Sequence, residues 1–521
     1  MTAPPDAIII GAGHNSLACA CHLLSRGWTV AIYEQSAAPG GAVKSGQYTL
    51  DGFVHDWAAM NLSLFAGSAF HTEYAAELAR NGLQFAPTDH PFASVFPDGK
   101  WLGISTDRAI TTARIRGFSA ADAAAWGALS DGFPQEAETI FGLLGSPMNL
   151  RAFSSLGWKT VRKRGRGATL DLARFLLMSP RAWLDQTFQS AHVKATLAAW
   201  GMHLDFAPDV AGGALFPYLE AMAGQAFGMV LGKGGADTAT KAMVSMITAR
   251  GGRIHCDSPV DAVLHDRGKA RGIRLRDGSE ITAGKAVIAN VAPAALTRLT
   301  GGTSDRHDTA MSRFQHAPGT MMIHLALDGL PQWKAAELKR FAYVHIAPSM
   351  DQMALTYQQA NAGLLPSEPV VVCGQPTVVD PSRAPAGQHV LWLQVRMLPG
   401  QIKGCAKGEI TATDWDTAAG PMADRVLDIV DRYAPGIRDR ILGQHIVTPT
   451  MLEADNPNLV GGDQVCGSHH LHQHFMNRPA RGFADGTTPI TNLYHTGAAV
   501  WPGGGTGAGP GTLLARKLAG K

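Results

Sequence analysis

The chain has 521 residues, and its 45 Lys+Arg against 42 Asp+Glu leave a formal charge of +3. With 45% hydrophobic and 17% charged residues the composition is globular, and 59 glycines without a fixed period exclude a collagen-like rod. So even a charge balance argues against nucleic acid as a partner, which would need a clustered basic surplus.

About three domains, or two interleaved ones, fit this length. The amino terminus, MTAPPDAIII, carries no basic segment before its apolar run, so it is not read as a signal peptide and a cytoplasmic location is expected. Ala7-Ile8-Ile9-Ile10 is continuous and apolar, the pattern of a parallel strand buried on both faces. Gly11-Ala12-Gly13-His14-Asn15-Ser16 follows. A helical pattern then runs over about 17–26, with Gly27 at the C-cap position and a second strand over 28–33 ending at Glu34. In such a unit Gly11 permits the tight turn, and Gly13 lets backbone N–H groups approach a pyrophosphate at the positive end of the helix. Ser16 takes the third glycine position, where it is expected to loosen helix–strand packing slightly. Glu34, 21 residues past Gly13 and followed by Gln35, can accept hydrogen bonds from adenosine ribose hydroxyls. The spacing predicts a dinucleotide site.

Pro39-Gly40-Gly41-Ala42 is a stretch of small residues against which a second part of a long cofactor can lie; an NAD site does not need one. In His55-Asp56, His55 is weighed as a general base against a structural or orienting role. The middle, about 105–230, is helical by composition. Its basic cluster, Lys159, Arg162, Lys163, Arg164 and Arg166, precedes an apolar stretch at 170–177. It reads as a solvated loop or as a peripheral membrane contact to anionic lipid. The apolar run 215–231 contains Pro217, Glu220 and Gln225 and is expected to be a buried helix, not a membrane span.

From Gly251 short strands alternate with turns: 254–256, 260–265, 270–275 and 280–283, then Ala286-Val287-Ile288-Ala289 as another buried parallel strand. Strand-like runs follow at 320–327, 370–373 and 389–397, and Val426, Ile429, Val430 and Tyr433 fall at helical spacing. His469, His470, His472 and His474 have no Cys, Asp or Glu among them, so no metal site is predicted. The chain ends with a strand at 493–496, a glycine-rich loop and a helix at 512–518. Six cysteines form no C-x-x-C pair, Cys19 and Cys21 diverge on a helix, and no second glycine fingerprint appears. These features weigh against a pyridine nucleotide–disulfide reductase and suit a reducing compartment.

The segments GAGHNSLACACHLLSRGWTVAIYEQSAAPGGAV, GGADTATKAMVSMITARGGRIHCDSPVDAV and LYHTGAAVWPGGGTGAGPGTLLARKLAG resemble the phytoene-dehydrogenase-related flavoproteins. These are a branch of the FAD-dependent amine oxidase and carotenoid desaturase superfamily. GGDQVCGSHHLHQHFMNRPARGF resembles a late segment of the branch nearest the mammalian pyridine nucleotide-disulphide oxidoreductase domain proteins. With the order of predicted elements, the resemblance implies an α/β fold. It would pair a Rossmann-type FAD-binding domain (1–85, 225–300 and 481–521) with an interleaved α+β substrate domain of mixed sheet plus helices (86–224 and 301–480). The adenosine pyrophosphate is then assigned to Gly11, Gly13 and Glu34, with further contacts near Gly40, Gly41 and Ala42 and at the Val260 backbone. Gly497, Pro502, Gly503, Gly504, Gly505 and Gly507 are assigned to the ribityl chain and ring. His472, where relatives often carry Asp, is assigned with His474 and Tyr494 to the substrate cavity.

Physical chemistry supports the terminal loop in this role. Two-electron reduction of a flavin develops negative charge at its N1–C2=O edge, which N–H groups at a helix start stabilise; Pro510 suits a first helical turn. The expected reaction removes a hydride and a proton from a small, mainly apolar substrate, isoprenoid or cyclic, and passes the electrons to oxygen, a quinone or another protein. Two alternatives stand beside it: oxidation of an amine C–N bond, and a flavin-binding interaction protein without turnover.

Overall fold

The computed structural model describes residues 3–520; Met1, Thr2 and Lys521, at the ends of the predicted first and last segments, lie outside the described residues. Ala7–Ile10 is the central strand of a five-stranded parallel sheet in the order Leu493–His495, Ala286–Ala289, Ala7–Ile10, Val30–Tyr33, Arg253–His255. The three inner strands are short, apolar and fully buried because both faces are covered. Helices His14–Ser25, Thr238–Ala249 and Gly509–Ala519 pack on one face. The antiparallel strands Val260–Asp266, Lys269–Leu275 and Glu280–Thr282 cover the other. One sheet thus draws on the start, middle and end of the chain.

Four local expectations shift. The first helix begins at His14, earlier than the apolar periodicity suggests, because extended Gly13 takes the N-cap. Residues 254–256 add a parallel edge strand beside Val30–Tyr33 instead of joining the hairpins. The apolar run at 215–231 splits into the helix Leu215–Phe227 and the strand Met229–Gly232, which pairs with Phe85–Thr88. Gly228 forces the break: its φ is +69°, and an added Cβ would lie 2.3 Å from the Thr88 carbonyl oxygen. The basic cluster is no loop, since it rides on the helix Leu150–Leu177, kinked at Gly165. Its Arg164 pairs with Glu136 and its Lys163 with Glu138, both on the helix Ala120–Leu144.

A seven-stranded mixed sheet forms the second half, in the order Ile441–Val447, Gly319–Leu327, His389–Leu398, Val370–Gly374, Tyr343–Ile346, Phe92–Val95, Trp101–Ile104. Period-2 alternation gives it two unlike faces. One carries Val95, Val344, Val371, Leu393, Ile323 and their neighbours, and packs on Ala418, Met422, Val426 and Ile429 of the amphipathic helix Trp415–Tyr433. Each large apolar side chain buried there contributes roughly 1.5–3 kcal/mol. The other face is also buried, yet carries Ser94, Tyr343, His345, Trp392, Gln394, Arg396 and His324. That face looks toward the glycine-rich loops.

Candidate functional site

At the carboxyl ends of the parallel strands the glycine loops meet as bare backbone. Gly11 has φ +86°, and a Cβ on it would lie 3.1 Å from the Asn290 carbonyl oxygen. Gly40 N–H donates to the Ala12 carbonyl (3.0 Å), and a Cβ on Gly41 would lie 3.1 Å from Gly13 Cα. From the far end of the chain, Gly505 offers its carbonyl to His14 Nε2 at 3.0 Å. Gly497, at φ +99°, faces Asn290 Oδ1, which a Cβ would approach to 2.0 Å. A side chain at any of these positions would fill the cradle or push its walls apart.

The result is a cleft lined by Gly13, His14, Gly41, Ala42, Ala498, Ala499, Gly505 and Thr506, with Asn290, Gln464 and Cys466. The helix His14–Ser25 opens onto it without a side-chain cap, which leaves its first N–H groups and positive pole available to an anion. Bare backbone, a free helix start and a long cleft fit a dinucleotide. Gly503 and Gly504 lie behind the rim. A Cβ on Gly503 would lie 2.5 Å from His469 Nε2, and Gly504 N–H donates to that nitrogen (3.2 Å). Burial and the Arg478 cation hold His469 neutral. The Arg478 guanidinium, buried without a carboxylate partner among the described residues, donates to the carbonyls of Ser468 (2.7 Å) and Ala498 (2.8 Å) and so pins the loop. Pro502 follows a cis peptide and packs toward Gly509, while Gly507 approaches the Leu64 carbonyl.

Glu34 is buried and accepts hydrogen bonds from Ala12 N–H (2.6 Å) and Ser36 N–H (2.9 Å), two of the four lone-pair positions a carboxylate offers. The segment leading to Val260 lies beside it, for Ser258 N–H donates to the Glu34 carbonyl at 2.8 Å. Gln35 is exposed. Ser16 differs from expectation. It does not loosen the packing but is fully buried and accepts a hydrogen bond from Asn290 Nδ2 (2.9 Å), joining the first helix to the strand Ala286–Ala289.

Three predicted side chains fall elsewhere. His472 is exposed, because Leu471–Gln473 is a single 3-10 turn rather than a strand and sends it outward. Tyr494 points into the helix-covered core of the parallel sheet, since its strand alternation puts it with Ile9 and Ile288. His55 is buried against His324 and Tyr48, with Nε2 2.8 Å from Thr49 Oγ1. Burial lowers its pKa to about 3, which makes it a poor base at neutral pH. His474 is buried against Trp501 and Phe475, behind the terminal loop. No group of His, Cys, Asp or Glu among the described residues is placed to hold a metal ion.

Sequence reasoning missed Asn290, although its position directly after a buried parallel strand is a ligand-binding signal. It also missed a buried ionic knot. Arg383 pairs with Asp56 (2.5 Å) and Asp380 (3.3 Å), and Asp56 further accepts from Ser45 Oγ and Ala236 N–H, both at 2.7 Å. Trp392 of the seven-stranded sheet donates to the Asp56 carbonyl (2.8 Å). Nothing in local spacing pairs residues 327 positions apart.

The family described as flavin containing amine oxidoreductase matches residues 17–400. The rat pyridine nucleotide-disulfide oxidoreductase domain-containing protein 2 is 28% identical, over 96% of this chain and 90% of its own length. The 4,4'-diapophytoene desaturase (4,4'-diapolycopene-forming) of a Methylomonas species is 26% identical, over 96% and 91%. Among solved structures, cyclohexylamine oxidase from Brevibacterium oxydans superposes with a TM-score of 0.58 at 15% identity, covering 99% of both chains.

Proposed function

The chain belongs to the flavin-containing amine oxidoreductase family, and on that premise we propose that it dehydrogenates a small substrate by removing a hydride and a proton from adjacent atoms. It is an FAD-dependent oxidoreductase. FAD, when bound, supplies the two-electron acceptor. The N–H groups after Gly13 would hold the pyrophosphate, Glu34 the ribose and the Val260 backbone the adenine. Gly40, Gly41, Ala42 and the 497–507 loop would take the remainder. The proteins' own contribution at the ring end is a fixed set of backbone dipoles, pinned from behind by Arg478 and His469 in a water-poor setting.

The observation that carries this reading is the convergence of Gly13, Gly41 and Gly505 on one cleft. Desaturase relatives support a carbon–carbon dehydrogenation, and structural neighbours that are amine oxidases support C–N oxidation as the second reading. The purified protein should be yellow with a flavin absorbance, and anaerobic mixing with isoprenoid or cyclic alkenes should bleach it while amines do not. Bleaching by amines alone would favour the second reading; a reducible flavin that no substrate class bleaches would favour a binding protein.

Peripheral membrane contact is proposed for the helix Leu150–Leu177. Trp158 and Leu170 are 69% and 70% exposed there, beside Lys159, Arg162 and Arg166. Among the described residues no helix is long and apolar enough to cross a membrane. Co-flotation with anionic but not neutral liposomes is the expected result.

A further inference from the structure

The polar face of the seven-stranded sheet ends in a cluster that the cofactor cradle does not use. His345 Nε2 lies 3.2 Å from His203 Nε2, so one nitrogen donates and the other accepts. Around this pair three buried polar atoms have no hydrogen-bond partner among the described residues: His345 Nδ1, Ser94 Oγ and Trp200 Nε1. Ser94 and His345 are register partners on adjacent parallel strands, and the Trp200 ring stands edge-on to His345 with centroids 5.1 Å apart. Unpaired buried polar atoms are costly and rare; three around one ring call for a common partner. The cluster is also tied to the cleft. Arg396 donates to the His203 carbonyl and to Gln464 Oε1, and Gln464 lines the cleft.

We propose that this cluster is a recognition pocket for a neutral, oxygen-bearing group of the substrate, a hydroxyl or a carbonyl. The inference rests on the dehydrogenase reading above and narrows its substrate class. An indole N–H can only donate, so Trp200 requires an acceptor lone pair, which an ammonium group lacks. A carboxylate finds no free N–H on Arg396: all five are engaged, by the Met202 and His203 carbonyls, Thr320 and Gln464. The two histidines are held neutral by burial. The half-buried Glu220, close enough to raise the Tyr343 hydroxyl, has its carboxyl pushed up by burial to about 7, so it is only partly ionised at neutral pH. A hydroxyl or carbonyl oxygen satisfies Trp200. Ser94 and His345 adapt to either, the hydroxyl by rotation and the imidazole by tautomer.

The test titrates the FAD-loaded protein with five molecules on one skeleton: farnesene, farnesol, farnesal, farnesoic acid and farnesylamine. Binding is read from the perturbed flavin spectrum and, independently, from the shift in thermal midpoint. Farnesol and farnesal should bind at least tenfold more tightly than the other three. Trp200→Phe, which removes only the N–H, and His345→Leu should each cut that preference to below threefold, with farnesene affinity kept within twofold. Equal affinity across the series, preference for the amine or acid, no binding by any member, or an unchanged preference in Trp200→Phe would overturn the pocket. If a variant does not fold, the wild-type series alone decides. Farnesene bleaching without an alcohol preference would sink the pocket and leave the dehydrogenase reading. An alcohol preference with no bleaching by any alkene, alcohol or aldehyde would do the reverse.

Discussion

The glycine cleft and the polar sheet face lie next to each other but are built on opposite logics. The cleft is made of backbone. Its residues are defined by what they lack, because a Cβ at Gly497, Gly11 or Gly41 would strike Asn290 or Gly13. The sheet face is made of side chains, one to three from each of four strands, and part of its character comes from groups without partners among the described residues. A backbone site tolerates any sequence that keeps the glycines and the helix start. A side-chain site changes specificity with a single substitution. On the readings proposed above, cofactor binding and choice of substrate fall to different kinds of structure.

The sharpest way to break this division is Arg383→Met, because the Asp56–Arg383–Asp380 knot ties the two regions together. Leaving two buried carboxylates unpaired should cost about 3–5 kcal/mol, read as a fall in denaturant midpoint; a change below 1 kcal/mol would mean the regions are held together by other contacts. Next comes the cradle itself. Gly41→Ala must place a side chain at φ +61° against Gly13, a strain of about 1–3 kcal/mol. Equilibrium dialysis should show weakened FAD retention with little effect on the seven-stranded sheet.

Acidification probes the side-chain region. His55 and His345, both lowered to about 3, and the similarly buried His474 stay neutral in the folded protein, whereas the unfolded chain protonates them near pH 6.5. Their contribution to stability is complete above that pH and is lost as pH falls toward 3. Glu220 and Asp205, both raised to about 7, act with the opposite sign and lose stabilisation as pH rises from about 4 to 7. Thermal midpoints should therefore fall below pH 6, and Glu220→Gln should gain on the wild type between pH 5 and 8. A flat difference across that range would show that Glu220 is not desolvated. The smallest effect is expected for Ser16→Gly. It restores the common glycine but loses the Asn290 hydrogen bond, worth about 1 kcal/mol, and calorimetry should record a slight loss rather than a gain.

Legibility followed the same division. The turn at Gly11–Gly13 and the helix start behind it could be found because a tight turn and a helix start are written over a few adjacent residues. The serine in the third glycine position could be located but not interpreted, since its partner lies 274 residues away. His472 and Tyr494 were misplaced for a related reason. A 3-10 turn and a one-residue choice of strand face reverse a side chain's direction, and neither leaves a mark in local composition.

By itself the amino-acid sequence determined the glycine-rich turn and the helix start behind it, because turn conformation and helix polarity are short-range properties of the chain. Only the tertiary structure decided which histidines stay neutral and which polar atoms lack partners among the described residues. Those depend on desolvation and on contacts between strands far apart in sequence, and burial, not residue type, sets their energy.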